Sequence, residues 1–371
     1  MFIKGLELKQ IVQEIANLKV KRNEMLLILI GEKYLIDIPQ FIKALNKYNT
    51  KFCGGIFPAV IYGEKKYEDG IIIKILPVLV SPVLIKDLKD VLLNEKILER
   101  LRNHPYKSTA ILLVDGLMPN ISVFLSELFC TLGNSVNYIG GGAGSLTFQP
   151  KRCVFTNKGY HQNAAVIAFI DKKSNLGVRH GWKRIMGPIV ASKVNNSIIH
   201  ELNWDKAFHV YRAVVEGDTN VKISMKNFFD VAKNYPFGIH KEDSEDIVRD
   251  PILTNHQGDL ICVGEIPDHS LLYILKGVPE GLIKAASQAV DDCKLNHSYQ
   301  NVESLVVDCT SRALFLEDNF EKELHSIKSS LVSIDSNLIL EGILTLGEIS
   351  SHGQGILEFF NKTIVAGVLY E

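Results

Sequence analysis

Two short strings in this chain repeat the same residue types. Gly264-Glu265-Ile266 is followed by His269, and Gly347-Glu348-Ile349 is followed by His352, 83 positions further on. Each glutamate comes at the end of an apolar run. A carboxylate ending a buried strand needs a partner to offset its lost hydration. Arg249 and Arg312 are the cations that could serve, or a ligand cation could. The twin turns therefore either repeat one hairpin for structural reasons or bring two acidic loops to one cleft. If each glutamate only solvates a hairpin shoulder, neither reading holds.

Other segments have narrower chemical meaning. Gly140-Gly141-Gly142-Ala143-Gly144-Ser145 resembles a phosphate cradle, because glycines let a backbone approach a ligand and expose N–H groups. The dinucleotide fingerprint needs glycine at the sixth place and a helix behind it. Here Ser145 holds that place and a strand-like run follows, so a Rossmann or P-loop reading fails. A turn between strands is the plain alternative. His180, in Val178-Arg179-His180-Gly181-Trp182, has the most unusual surroundings of the eleven histidines and could ligate a metal or haem iron. A packed or surface histidine is the alternative. No HExxH, no Cys/His zinc spacing, no GxSxG elbow and no SxxK is present. Cys309 ends an apolar strand beside Asp308, whose charge would raise a thiol pKa, and this reads as a buried structural cysteine.

These residues need elements to position them. The chain has 371 residues, 46% of them apolar and 22% charged, with a formal net charge of −1. That predicts two to three globular units and argues against a nucleic-acid binder. Cys53, Cys130, Cys153, Cys262, Cys293 and Cys309 show no CxxC spacing and read as reduced thiols. The N-terminal run is unlike a signal peptide, and Gly70 to Ile85 is broken by Lys74, Pro77 and Pro82, so neither export nor membrane insertion is expected. A cytoplasmic location follows from these readings.

The first half predicts two copies of one pattern. Met25–Glu32 reads as a buried strand, followed by a helix capped by Asp37 with Phe41, Leu45 and Tyr48 on one face. A strand from Ala110 is followed by a helix with Ile121, Leu125, Leu128 and Leu132 inward, ending at Gly133. Gly54-Gly55 corresponds to Gly140-Gly141, each read as a turn. Between the copies, residues 84–104 predict an amphipathic helix with Leu88, Leu92 and Leu101 inward. Further on come a hairpin at Asn195-Asn196, a helix from Trp204, and helices at 280–295 and 319–331 among short strands. The expected fold is α/β (α+β): two packed domains with mixed, largely antiparallel sheets flanked by helices, the N-terminal unit internally duplicated. The domains are placed at 1–200 and 201–371, the boundary falling in the stretch 181–235 and lacking a low-complexity linker.

Several strings resemble the FIST family (F-box and intracellular signal transduction), in the family's order over nearly the whole chain. They are GGIFPAVIYG, YIGGGAGSLTF, YPFGIHKEDSEDIVRDPI, LICVGEIPDHSLLYILKG, VDCTSRALFLEDNFEKEL and EGILTLGEISSHGQGILEFFNKTIVAGVL. The DCTSR and GEI…NKT blocks are the most specific. The resemblance implies a non-catalytic sensory domain that binds a small molecule, amino acids having been proposed. It implies a histidine kinase or a cyclic-di-GMP enzyme as partner in trans, since no F-box-like segment or fused output domain is seen. One branch binds haem and senses nitric oxide, for which His180 is the candidate ligand. Carried over, the pocket residues are Gly140, Gly141, Gly142, Arg249, Asp250, Glu265, Cys309, Arg312, Glu348 and Asn361. His269 and His352 lie outside that set. The two GEI turns are expected to be equivalent hairpins. A protein-interaction scaffold is the competing reading, favoured by an exposed apolar patch where the sensor needs a cavity with converging polar groups. An enzyme of unknown chemistry is the weakest reading, since no catalytic set is visible.

Overall fold

The computed structural model describes all residues except 87, 89, 90, 92, 243, 244, 298 and 352–356. The longest apolar runs become strands buried on both faces. Met25 to Gly31 is buried throughout, as is Ser108–Asp115. Such runs belong in the middle of sheets covered by helices. Each is followed by a helix and then by a parallel neighbour, because a parallel pair requires a crossover. The Ile38–Leu45 helix starts where the Asp37 carboxylate accepts the Gln40 N–H at 2.9 Å, and buries Phe41 and Leu45. The Ile121–Leu132 helix buries Ile121, Leu125, Leu128 and Leu132 and ends at Gly133, whose φ is +53°. Both helices match expectation. Tyr48 does not: it is half exposed beyond the helix end.

Three six-stranded sheets share one strand order. The first runs Phe2–Lys4, Gly70–Pro77, Glu24–Gly31, Lys51–Phe57, Val154–Thr156, Gly159–His161. The second runs Val83–Ile85, Ala165–Ile170, Ser108–Asp115, Val136–Ala143, Glu348–Ser351, Leu357–Phe360. The third runs Lys173–Arg179, Ile364–Tyr370, Glu303–Cys309, Glu341–Thr345, Ala59–Tyr62, Lys65–Tyr67. In each, the third and fourth strands are parallel and every other pairing is antiparallel. In each, the last two strands are a hairpin supplied by a different part of the chain. The parallel registers place Ile28 opposite Gly54, Leu112 opposite Gly140 and Val306 opposite Gly342. A Cβ on any of these glycines would collide with the carbonyl oxygen of its opposite residue. The glycine permits the close approach of the backbones.

The same strand order is found in a sheet whose central strands come from the second half. The division near residue 200 does not separate the sheets. Ala59–Tyr62 pairs with Glu341–Thr345, Glu348–Ser351 with Val136–Ala143, and Lys173–Arg179 with Ile364–Tyr370. Between Arg179 and Glu303 the chain builds a fourth, antiparallel sheet of eight strands, in which Lys183–Val190 is one edge. The Ala207–Thr219 and Phe228–Ala232 helices pack on it, and Tyr211 and Phe228 join the shared core. That core also includes Leu27, Leu29, Ile111, Leu113, Leu305 and Val307. Each side chain of this kind contributes about 1.5–3 kcal/mol when fully buried.

Three further expectations change. The helix expected over 84–104 is shorter: Val83–Ile85 is a strand, and the helix is Glu95–Arg102, capped by Asn94. Leu101 is buried and Leu88 half-buried, while Leu92 lies outside the described residues. The three glycines Gly140, Gly141 and Gly142 lie inside a strand, not a turn, and residues 145–153 are loop where a strand was expected. The GEI turns are not equivalent hairpins. Glu348 opens the Glu348–Ser351 strand of the second sheet, whereas Gly264–Ile266 is a loop after Leu260–Val263 in the fourth.

Candidate functional site

The residues named from sequence converge on the turn Asn361-Lys362-Thr363, between Leu357–Phe360 and Ile364–Tyr370. Lys362 takes a left-handed conformation, φ +51°, and is fully buried. Its ammonium donates to the Lys233 carbonyl at 3.0 Å, lies 3.1 Å from Asp250 Oδ2 and stands 4.9 Å over the Trp182 ring. Its carbonyl accepts the Trp182 Nε1–H at 3.0 Å and an Arg312 Nη1–H at 3.3 Å.

Arg312 is the hub. It comes from the Thr310–Leu316 helix and is fully buried. Nη2 and Nε donate to the Glu323 carboxylate at 2.6 and 3.3 Å, and Nε lies 3.3 Å from Asp308 Oδ1. Nη1 donates to the His180 carbonyl at 2.6 Å and Nη2 to the Leu282 carbonyl at 3.1 Å. Burial works against its charge, but Glu323 and Asp308 hold the guanidinium above its ordinary pKa. One side chain therefore ties together the strand end at Asp308, two helices, the His180 turn and the Lys362 turn.

Arg249 enters from the other side of the same turn. Nε donates to the Glu265 carbonyl at 2.8 Å, and Nη1 to the carbonyls of Val248 and Phe359 at 3.0 and 3.1 Å and to Asn361 Oδ1 at 3.5 Å. Among the described residues no carboxylate hydrogen-bonds it, and burial lowers its pKa to about 10. Gly264 sits against Arg249 and Asn361, where a Cβ would come within 3.1 Å of Asn361 Oδ1. Beside it, Asp250 is buried, and burial raises its pKa. Its Oδ1 has no hydrogen-bond partner among the described residues.

Glu348 lies on the far side. Its Oε1 accepts the Thr345 hydroxyl at 2.8 Å and its Oε2 the Thr363 N–H at 3.2 Å. Burial pushes its carboxyl up to about 8. The Cys309 thiol is also pushed up by burial, with the Glu348 charge adding to this, and its Sγ is 3.0 Å from Ser311 Oγ. The GEI strings thus do flank one element: Gly264 meets Asn361, and Glu348 holds Thr363. The partners differ from those expected. Arg249 and Arg312 hydrogen-bond neither glutamate side chain, and Glu265 contributes its carbonyl while its side chain stays half exposed.

The glycines border this hub without facing open space. Gly141 is opposite Glu348, and a Cβ there would meet Thr345, Val307 and the Gly347 carbonyl. A Cβ on Gly142 would meet Gly116, and the Gly142 N–H donates to the Gly347 carbonyl while its own carbonyl accepts the Leu346 N–H. Protein fills the places a phosphate cradle would leave free. His180 is buried, its Nδ1 accepting the Trp182 N–H at 2.9 Å and its Nε2 lying 3.3 Å from Glu245 Oε2. Burial lowers its pKa. Nδ1 is taken up within the protein, while Nε2 faces the Glu245 carboxylate. Among the described residues, no group of three or more His, Cys, Asp and Glu is placed to hold a metal. His269 is exposed in the turn between Leu260–Val263 and Leu271–Lys276, and His352 lies outside the described residues.

Sequence reasoning missed Asp308, Glu323, Lys362 and Trp182 as members of the hub. Asp308 and Lys362 stood inside the DCTSR and NKT strings, a signal that was present. Glu323 stood inside the longer VDCTSRALFLEDNFEKEL string, but an acidic residue in the first turn of a helix ordinarily reads as solvated.

The frame and the hub together define a mixed α/β protein whose distant segments are joined by buried charge. Models of the FIST N domain and the FIST C domain match residues 24–205 and 207–351. The chain belongs to the FIST family, a family of sensory and signalling domains. No curated protein matches the chain. No helix among the described residues is long and apolar enough to cross a membrane.

Proposed function

We propose that this protein is a small-molecule sensor that regulates a separate signalling enzyme, a histidine kinase or a cyclic-di-GMP enzyme. The observation that carries the reading is the convergence of Arg249, Asp250 and Asn361 on one turn, with Asp250 Oδ1 buried and unpartnered among the described residues. A buried acceptor without a donor costs about 1–3 kcal/mol. A ligand N–H or O–H would relieve it. Because the turn is closed over, a ligand must open the hub to enter. Occupancy and conformation are then linked, as a sensor requires. The same turn connects through Lys362 and Arg312 to the fourth sheet and its helices, a route by which occupancy would reach a docked partner.

The test is a thermal-shift screen of amino acids, carboxylic acids, nucleotides and polyamines, with calorimetry on any stabilising compound. The expected result is one compound that raises the wild-type midpoint and binds Asn361→Ala and Asp250→Asn at least about tenfold more weakly, or about 1.4 kcal/mol. No stabilising compound, or equal affinity for both variants, contradicts the reading.

A further inference from the structure

The charge count around Arg312 does not close with every group ionised. Asp308 and Glu323 flank one guanidinium, Glu348 acts on Asp308 and Arg312 through its charge, and all four side chains are fully buried. Other charges nearby do not correct this. From the Asn361–Thr363 turn, the Lys362 ammonium is taken up by Asp250 and the Lys233 carbonyl. From the turn after Lys173–Arg179, the His180 ring is held neutral by burial. From the Glu303–Cys309 strand, the Cys309 thiol stays protonated. The Pro279–Asp291 helix offers the Leu282 carbonyl, the Glu341–Thr345 strand the Thr345 hydroxyl, and the Val136–Ala143 strand the backbone of Gly141. Among the described residues, neither carboxyl oxygen of Asp308 receives a hydrogen bond. Buried charge of that kind is shed by taking up protons.

We propose that this cluster is a proton-held latch: Glu348 and Asp308 keep their protons, and losing them to solvent loosens the Arg312 ties to His180, Leu282 and Lys362. The latch goes beyond the ligand-binding reading and needs no ligand. With two protons retained, one carboxylate balances one guanidinium. Without them, two net negative charges remain in the core. Burial and the neighbouring Glu323 raise Asp308 well above the carboxylate range, in the same direction as Glu348. Both groups bind protons more tightly folded than unfolded, so stability falls as pH rises from the ordinary carboxylate range through the folded pKa values.

The experiment compares the full chain with E348Q and D308N in urea, from about pH 6 to about pH 9.5. The wild-type midpoint is expected to fall across this range, and each neutral isostere to flatten the fall. A W204F background leaves Trp182 as the only tryptophan of two. Its emission is expected to shift to the red as the latch loosens, and E348Q to abolish that shift. If E348Q does not fold, D308N carries the comparison. The infrared carbonyl stretch of a protonated carboxyl is expected at about pH 6 and to fade towards about pH 9.5 in the wild type. A wild-type midpoint no more pH-dependent than both variants, or Trp182 emission flat throughout, overturns the latch. A ligand that fails to bind would leave these readings unchanged, so the two proposals fail separately.

Discussion

At two matched positions one sheet departs from the other two, the third sheet at the first position and the second sheet at the other. Two residues beyond the partner of the close-approach glycine, the first sheet has Ile30, the second Val114 and the third Asp308. On the borrowed strand, opposite the residue after that glycine, stand Val154 in the first sheet, Glu348 in the second and Val60 in the third. All six are buried. The frame is thus satisfied by aliphatic residues at both places. Glu348 reaches the second sheet by strand exchange from the hairpin that follows Glu341–Thr345, so both carboxyls come from the C-terminal strands and meet where the second and third sheets join. A carboxyl that the frame does not need, held at a desolvation cost, points to a role beyond folding.

The largest expected effect breaks the comparison at its hub. Arg312→Leu removes the only guanidinium among three buried carboxyls and is expected to cost about 3–5 kcal/mol, read from urea unfolding at neutral pH. A loss below about 1 kcal/mol would show that the carboxyls are already neutral without it. Next come the glycines. Gly54→Ala, Gly140→Ala and Gly342→Ala each force a Cβ into a carbonyl and are expected to lose about 1–3 kcal/mol each, with similar values in all three sheets. A loss at Gly140 alone would return that residue to a ligand role.

Glu348→Val restores the aliphatic residue of the other two sheets. Its expected effect depends on pH. The raised pKa of Glu348, about 8, means that wild-type stability declines as pH rises towards that value. The variant should therefore gain on the wild type as pH rises, measured as the difference in urea midpoints. A constant difference would mean that Glu348 titrates normally. The smallest effect is expected from Glu265→Ala. Its carbonyl serves Arg249 and its side chain is half exposed, so the change should stay within about 0.5 kcal/mol. Calorimetry of ligand binding should be equally insensitive to it.

Local rules exposed much of this in advance. Buried strands at Met25 and Ala110, the Asp37 cap and the Gly133 stop follow from periodicity and capping, which act within a few residues. The shared strand order of the third sheet was hidden. Its strands are interrupted by the whole fourth sheet, and its hairpin comes from residues 59–67, facts of long-range pairing. The Gly140 run read as a turn because glycine is common in turns. Its actual reason, contact with the Leu112 carbonyl, exists only once the parallel neighbour is in place. The site was legible as a set of strings but not as chemistry. Glu265 and Glu348 read alike, yet one uses its carbonyl and the other its carboxyl, which their surroundings decide.

The most direct measurement is hydrogen exchange of the full chain with and without the compound that stabilises it. Slower exchange is expected at residues 248–250 and 361–364, while the matched segment 68–71 of the first sheet stays unchanged. Protection confined to the first sheet, or spread equally over all three, would contradict a sensing site built where the third sheet carries its charge.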